Sequence, residues 1–260
     1  MKYTSNLPDD MVNISNEHPL SVGLKLTLSL LFLAGVAYLI LGFAIDYAVD
    51  NISPTQEKKL EELLSIDMNL SNEGSTYLSK VTNKLSKCAN LPYDIGIHIL
   101  NEAEPNAFAA PGGNIYITKG MLEKADSENE LAFIIGHELG HFKHKDHLRT
   151  LGYKLILSMF GILIGKDYGV VANTTLNLGD ARYSQKAELE ADIYGLEVMN
   201  CAYGSVTNAT KIFEKMDDNK EWQYFMATHP GFKKRIMKMK EKSIKDGFDT
   251  HKTVIPLEKF

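Results

Sequence analysis

Leu26 to Ile45 is an unbroken run of 20 uncharged residues, LTLSLLFLAGVAYLILGFAI, bounded by Lys25 and Asp46, and no other stretch limits the folded state of this chain so strongly. An α-helix rises about 1.5 Å per residue, so a run of this length matches the ~30 Å hydrocarbon core of a bilayer. The segment reads as a single transmembrane helix. A cleaved leader is the competing reading and fits less well. The preceding region is long and carries Asp9, Asp10 and Glu17, the apolar run exceeds a usual leader core, and Gly42-Phe43-Ala44 is a poor cleavage site. Lys25 on one side, with Lys58 and Lys59 on the other, leaves the orientation open. The chain divides accordingly into an N-terminal tail (1–25), a membrane anchor (26–45), a main domain (53–250) and a C-terminal tail (251–260).

With 260 residues, 44% of them hydrophobic, the chain can bury one substantial core. A net charge of -5 supplies no basic footprint for nucleic acid. Lys233, Lys234, Lys238, Lys240 and Lys242 alternate with apolar residues, as on the wet face of a helix. Cys88 and Cys201 lie far apart without C-x-x-C spacing, which argues against a disulfide framework or a zinc knuckle. Two buried thiols and a single bridge both stay open.

Ser127 and Glu130 have the spacing of a capping box, which predicts a helix from Ser127 to about His147. Leu131, Ile134, Ile135 and Leu139 recur at helical spacing and give it a core-facing side. His137 and His141, four residues apart, share one face, so both imidazoles can reach one metal ion. Glu138 sits one step round, free to handle protons. His-Glu-x-x-His also arises by accident, so a third ligand has to be found.

Around this helix the local signals are plain. Ser53-Pro54 with Gln56 predicts a capped, charged helix through Leu64 that lifts the domain off the membrane. Tyr77, Leu78, Val81, Leu85 and Cys88 form a helical stripe ending before Pro92. Ile95, Ile97 and Ile99 alternate as in a half-buried strand, with His98 pointing to solvent. Residues 106–118 read as strand, Pro-Gly-Gly-Asn turn, strand. The first strand, Ala107-Phe108-Ala109-Ala110, is mostly small, and at a sheet edge it could pair with an extended peptide; an ordinary hairpin is the alternative. A helical turn is expected near Met121 to Lys124. Leu151 to Gly165 is too short to span and predicts a buried or interfacial helix, residues 170–179 a loop, and Ser184 an N-cap.

The helix after Ser184 carries Glu188 and Asp192 on one face, with Ala191 small enough for close approach of another helix. Glu188 can supply the third ligand, and Asp192 can take a hydrogen bond from the far nitrogen of a ligating histidine. Two His and one Glu with an open fourth position is a catalytic zinc arrangement. Glu190 and Glu197 read as solvated. His147, six residues beyond His141, is the rival third ligand, but His144 stands where a turn back to the metal would need glycine.

Four blocks now stand together: Asn106-Ala-Phe-Ala-Ala-Pro-Gly-Gly, His137-Glu-Leu-Gly-His, Tyr183-Ser-Gln-Lys-Ala-Glu-Leu-Glu-Ala-Asp192, and Thr228-His-Pro with Arg235. Over roughly 53–242 the chain resembles the M48 family of zinc metallopeptidases. The resemblance implies an α+β, predominantly helical, zincin-type (gluzincin) domain with a small β-sheet, here preceded by one transmembrane helix. It implies one Zn2+ held by His137, His141 and Glu188, Glu138 as base, and the strand from Ala107 through Phe108 and Ala109 to Ala110 as the substrate-binding edge. The partners it implies are a membrane and an unfolded or membrane polypeptide substrate, with a role in envelope quality control and a domain outside the cytoplasm. Gln185 departs from the Arg that members often carry, which removes any contact made by that Arg.

The tetrahedral oxyanion of such a reaction needs a further donor. His229, held by Thr228 and Pro230, is the candidate, with Arg235 as a supporting charge at the substrate; alternatively His229 occupies the open metal position in a latent state. A membrane-tethered, non-catalytic zinc scaffold or holdase is the second class of function, and it requires a fourth protein ligand. A non-peptidase zinc hydrolase would need pocket residues that the sequence does not reveal.

Overall fold

The computed structural model describes residues 18–64, 69–92, 94–163, 183–215 and 222–258. The first 17 residues of the N-terminal tail, the loop expected over 170–179 and Ala181 with Arg182 lie outside these. Residues up to Ala44 form one compact unit and those from Ile45 onward another.

Helix α1 (Pro19–Asn51) is longer than the uncharged run that predicts it and is the one helix among the described residues long and apolar enough to cross a membrane. A core helix of that length would hide its apolar side chains. Here Leu28, Leu31, Phe32 and Leu39 are all exposed.

The second unit opens with α2 (Pro54–Leu64). Its start is the expected N-cap, closed into a capping box: the Gln56 N–H donates to Ser53 Oγ at 3.3 Å and the Ser53 N–H to Gln56 Oε1 at 2.9 Å. The helix is not simply a solvated spacer. Glu57 is fully buried, accepting from the Gly112 N–H at 3.1 Å and lying 2.9 Å from His147 Nε2, while Glu61 accepts from the Asn114 amide at 2.9 Å.

A mixed four-stranded sheet follows, with β1 (Leu70–Ser71), β2 (Gly96–Leu100), β3 (Ala107–Ala110) and β4 (Asn114–Thr118) in the order β1-β2-β4-β3. Strand β2 is antiparallel to β1 and parallel to β4, and β3 returns antiparallel to β4 with Ala109 opposite Ile115. The β3–β4 turn places Gly112 and Gly113 at φ 86° and 85°, in the left-handed region that favours glycine. Strand β3 is thus an edge of the sheet, though its four side chains are buried. His98 is half-buried rather than solvated, its Nε2 2.9 Å from Asn114 Oδ1.

Helices α3 (Ser75–Ala89), α4 (Lys119–Lys124), α5 (Glu128–His144) and α6 (Asp146–Leu163) build the core with α7 (Gln185–Tyr203), α8 (Lys211–Glu214), α9 (Gln223–Thr228) and α10 (Phe232–Lys245). Leu78, Val81 and Leu85 of α3 share one cluster with Leu131, Ile135 and Leu139 of α5 and Met199 of α7. Every residue of α5 from Asn129 to Phe142 is buried, so this helix is the centre of the domain. Cys88 and Cys201 form a disulfide joining α3 to α7 across 113 residues, which settles the cysteine alternatives in favour of the bridge. Near the C-terminus the chain returns to the start of α5, where the Glu128 N–H donates to the Ile255 carbonyl at 3.0 Å.

One boundary differs from expectation and shapes the site. Helix α5 ends at His144, because Lys145 adopts φ 55° and the chain restarts as α6 at Asp146. Lys145 is also not a solvated lysine: its ammonium donates to the carbonyls of Val49, Asp50 and Ile52 at 2.9, 3.1 and 3.0 Å, satisfying free groups at the end of α1.

Candidate active site

His137 and His141 face α7 because small residues let the two helices come close. A methyl on Gly136 would meet the Gly195 carbonyl oxygen at 3.1 Å, and one on Gly195 would lie 2.9 Å from the His137 nitrogen. Ala191 stands opposite Gly140 in the same row. The N-terminus of α7 is set by Ser184, whose hydroxyl accepts from the Ala187 N–H at 3.1 Å and places Glu188 on the first turn.

Four side chains meet there. His137 Nε2 lies 3.1 Å from His141 Nε2 and 3.6 Å from Glu188 Oε2; His141 Nε2 lies 3.5 Å from Glu188 Oε1. His229 joins them, with its Nδ1 3.1 Å from Glu188 Oε1 and 3.3 Å from His137 Nε2. All four residues are buried, and one ligand atom from each lies within 4.8 Å of the others, so the group could hold a metal ion. His229 is positioned by its place at the end of α9, where its N–H donates to the Phe225 carbonyl at 2.8 Å and its ring stacks on Phe225 at 4.4 Å. It lies inside the donor cluster.

The Nδ1 atoms of His137 and His141 each face a further carboxylate. Asp192 Oδ1 is 3.0 Å from His137 Nδ1, and Asp146 Oδ2 is 3.0 Å from His141 Nδ1. Such partners fix the tautomer and turn the Nε2 lone pairs towards a shared ion. Sequence reasoning misses Asp146 as a site residue. Its place depends on the left-handed break at Lys145, and the only trace in the sequence is an acid just beyond the histidine pair. His147 points elsewhere: its Nδ1 is 3.4 Å from the His141 carbonyl oxygen and its Nε2 faces Glu57.

Arg235 is 2% exposed and lies beneath the cluster. Its Nε and Nη2 donate to the two oxygens of Asp192 at 2.6 and 2.7 Å, its Nη1 is 2.5 Å from Glu188 Oε2, and it reaches the His229 carbonyl at 3.2 Å. The guanidinium, expected from the sequence beside the substrate, touches the carboxylates that back the histidines. Ala107, Phe108, Ala109 and Ala110 lie on the edge strand, with the Phe108 ring 5.3 Å from Tyr116.

The charges sort by environment. Burial alone would raise Glu188, but the charges of His229 and Arg235 outweigh it and hold the carboxyl well below its usual range. Asp192 is lowered likewise, against burial, by Arg235. Burial lowers His137 despite Asp192, whereas His141 rises to about 10 because hydrogen bonds to Asp146 and Glu188 overcome burial. Tyr183 stacks on His141 with centroids 3.9 Å apart, and burial followed by the charges of Glu138, Glu188 and Asp146 keeps its phenol protonated. Glu138 is fully buried, and neither of its oxygens has a hydrogen-bond partner among the described residues.

The chain is 30% identical over 177 residues to the mitochondrial metalloendopeptidase OMA1 of Schizosaccharomyces pombe, covering 64% of this chain and 52% of that protein. It is 33% identical over 123 residues to a protease HtpX homolog of Methanothermobacter thermautotrophicus, 45% of each chain. To a putative beta-barrel assembly-enhancing protease of Vibrio cholerae it is 24% identical over 188 residues, 64% of this chain and 38% of that one. The chain thus spans about half, or less, of the length of these relatives. Residues 72–243 match the sequence profile of peptidase family M48, a stretch that runs from the sheet to the last helix and takes in both halves of the donor cluster; the chain belongs to that family.

Proposed function

We propose that this chain is a zinc-dependent endopeptidase, tethered to a membrane by residues 26–45 and cleaving unfolded or membrane polypeptides in protein quality control, with residues 53–250 as its peptidase domain. The observation that carries the reading is a buried carboxylate, Glu138, without a hydrogen-bond partner among the described residues, beside a convergent set of nitrogen and oxygen donors. Ligands about 2.0–2.2 Å from a tetrahedral zinc stand roughly 3.3–3.6 Å from one another, and the separations among His137 Nε2, His141 Nε2 and the Glu188 oxygens run from 3.1 to 3.6 Å. The residues fit the ion.

His137, His141 and Glu188 would hold the zinc. Bound there, it would polarise the scissile carbonyl and bring the pKa of a water towards neutrality. Glu138 takes the proton of the attacking water and returns it to the leaving nitrogen, at a position set in advance by a rigid helix. Asp192 and Asp146 hold the imidazoles in register, and Arg235 holds Glu188 and Asp192. An extended substrate pairs with the edge of β3, which aligns its backbone past the cluster. His229 acts as a gate: its Nδ1 fills the position that water and substrate need until it swings away.

A fourth protein donor also favours a second reading, a closed zinc site in a non-catalytic scaffold. Glu138 argues against it, since a buried carboxylate without partners only destabilises a structural site. The disulfide supports a domain on an oxidising, extracytoplasmic side. The deciding experiment is Glu138→Gln, expected to retain one zinc per chain and to abolish cleavage of an unfolded model protein; proteolysis that survives the substitution overturns the assignment.

A further inference from the structure

The reaction proposed above still lacks a hydrogen-bond donor for the carbonyl oxygen that becomes negatively charged. His229 is already assigned the gate, its Nδ1 lying against Glu188 and His137 inside the cluster until it leaves. Arg235 is not available either, being committed beneath the site to Asp192, Glu188 and the His229 carbonyl. A further polar side chain lies against the cluster. Tyr183 lies face to face on His141, with centroids 3.9 Å apart and planes 19° apart, and its ring centroid is 5.7 Å from that of His229.

Its hydroxyl is buried and has no hydrogen-bond partner among the described residues. A buried hydroxyl left unpaired destabilises a fold, and phenylalanine would make the same stack without that cost. The backbone fixes the ring in place from both sides. The Tyr183 N–H donates to the Thr228 carbonyl at 3.3 Å, next to His229, and Ser184 caps the helix that carries Glu188. Tyr183 also lines a cavity of about 430 Å3 together with Asp146, Arg149 and Ala187. Glu138 and the Tyr183 hydroxyl are thus both buried at the site without a hydrogen-bond partner among the described residues, whereas His137 Nδ1, which makes no hydrogen bond there either, lies 3.0 Å from Asp192. Glu138 is assigned the proton transfer.

We propose that Tyr183 is a further catalytic residue, whose phenol O–H donates a hydrogen bond to the oxygen of the scissile carbonyl as negative charge develops on it. No proton is transferred: the phenol keeps its hydrogen throughout, and the oxygen charge collapses back when the C–N bond breaks. The inference rests on the endopeptidase reading and adds to it a group that acts only in the transition state.

The test is Tyr183→Phe in the full-length, zinc-loaded protein, beside wild type and Glu138→Gln. Three quantities are read: kcat and KM on a quenched-fluorescence peptide, zinc per chain, and the inhibition constant of a phosphinic peptide whose tetrahedral oxygen mimics the oxyanion. Loss of one oxyanion donor is expected to lower kcat by about 10²-fold with KM and zinc content unchanged, and to weaken the phosphinic peptide by a similar factor. Wild-type kcat in Tyr183→Phe, alongside an inert Glu138→Gln, overturns the inference alone. A fall in kcat that follows lost zinc, or that leaves phosphinic peptide binding intact, overturns it as well, by reducing Tyr183 to packing. A wild-type protein that neither cleaves nor binds the phosphinic peptide overturns the endopeptidase reading, and this inference with it.

Discussion

Gly140 and Ala191 stand so close that a methyl group added to Gly140 would lie 2.6 Å from the Ala191 Cα and 2.8 Å from its carbonyl oxygen. Neither atom belongs to a flexible side chain, so relief requires the two helices to separate. The histidine pair and Glu188 lie on the helices that would part. Gly140→Ala is expected to cost about 3 kcal/mol, at the upper end of the overpacking range, and to weaken zinc binding. Thermal unfolding and a zinc titration on the same preparation check both halves of this expectation.

Arg235 is the counter-charge for two buried carboxylates. Arg235→Met leaves Asp192 and Glu188 uncompensated and is expected to destabilise the zinc-free protein by about 3–5 kcal/mol. Lysine should not rescue it, because a single ammonium cannot reproduce the paired contacts to Asp192 together with the one to Glu188. Urea denaturation of the wild type and both variants gives the comparison.

Acid should undo the same contacts. Asp192 and Glu188 have folded-state pKa values below their unfolded ones. Their contribution to stability is therefore present above about pH 4, the unfolded range, and is lost as pH falls from there through the folded values. The midpoint of zinc-free protein should drop steeply below about pH 4. Asp192→Asn should be less stable at neutral pH and flatter in its acid dependence; an unchanged slope would remove Asp192 from this account.

His229→Ala separates a gate from a structural ligand. As a gate, its removal leaves His137, His141 and Glu188 to hold zinc, and basal cleavage should rise several-fold. Loss of both zinc and activity would instead support the closed scaffold site.

Removing the disulfide by Cys88→Ser is expected to cost about 2–5 kcal/mol, in line with the long loop it closes. Thiol labelling of the protein in intact cells, before and after reduction, reports whether the bridge forms where the protein works.

Local sequence signals are enough to find part of the site. The pair His137 and His141 is set by helical spacing and by a cap at Ser127, and Glu188 follows from an acid pair on a helix with its own cap at Ser184. Other features depend on distant partners that periodicity does not carry. Glu57 is drawn inside by a histidine 90 residues away, and Lys145 is occupied by carbonyls at the end of α1. Asp146 reaches His141 because the helix breaks at a lysine, a residue that does not advertise a left-handed turn. Ala191 is legible as a small contact residue, but Gly140, which it meets, stands between the histidines, where it reads simply as a weak helix former.

The bridge between Cys88 and Cys201 closes a covalent ring, and His137, Glu138, His141 and Glu188 all lie within it. A protease is exposed to its own chemistry and to that of its neighbours. One nick anywhere between residues 89 and 200 opens the ring without releasing a fragment, so both halves of the metal cluster stay on one molecule. Autolysed protein should run as a single species on a non-reducing gel and divide in two only after reduction.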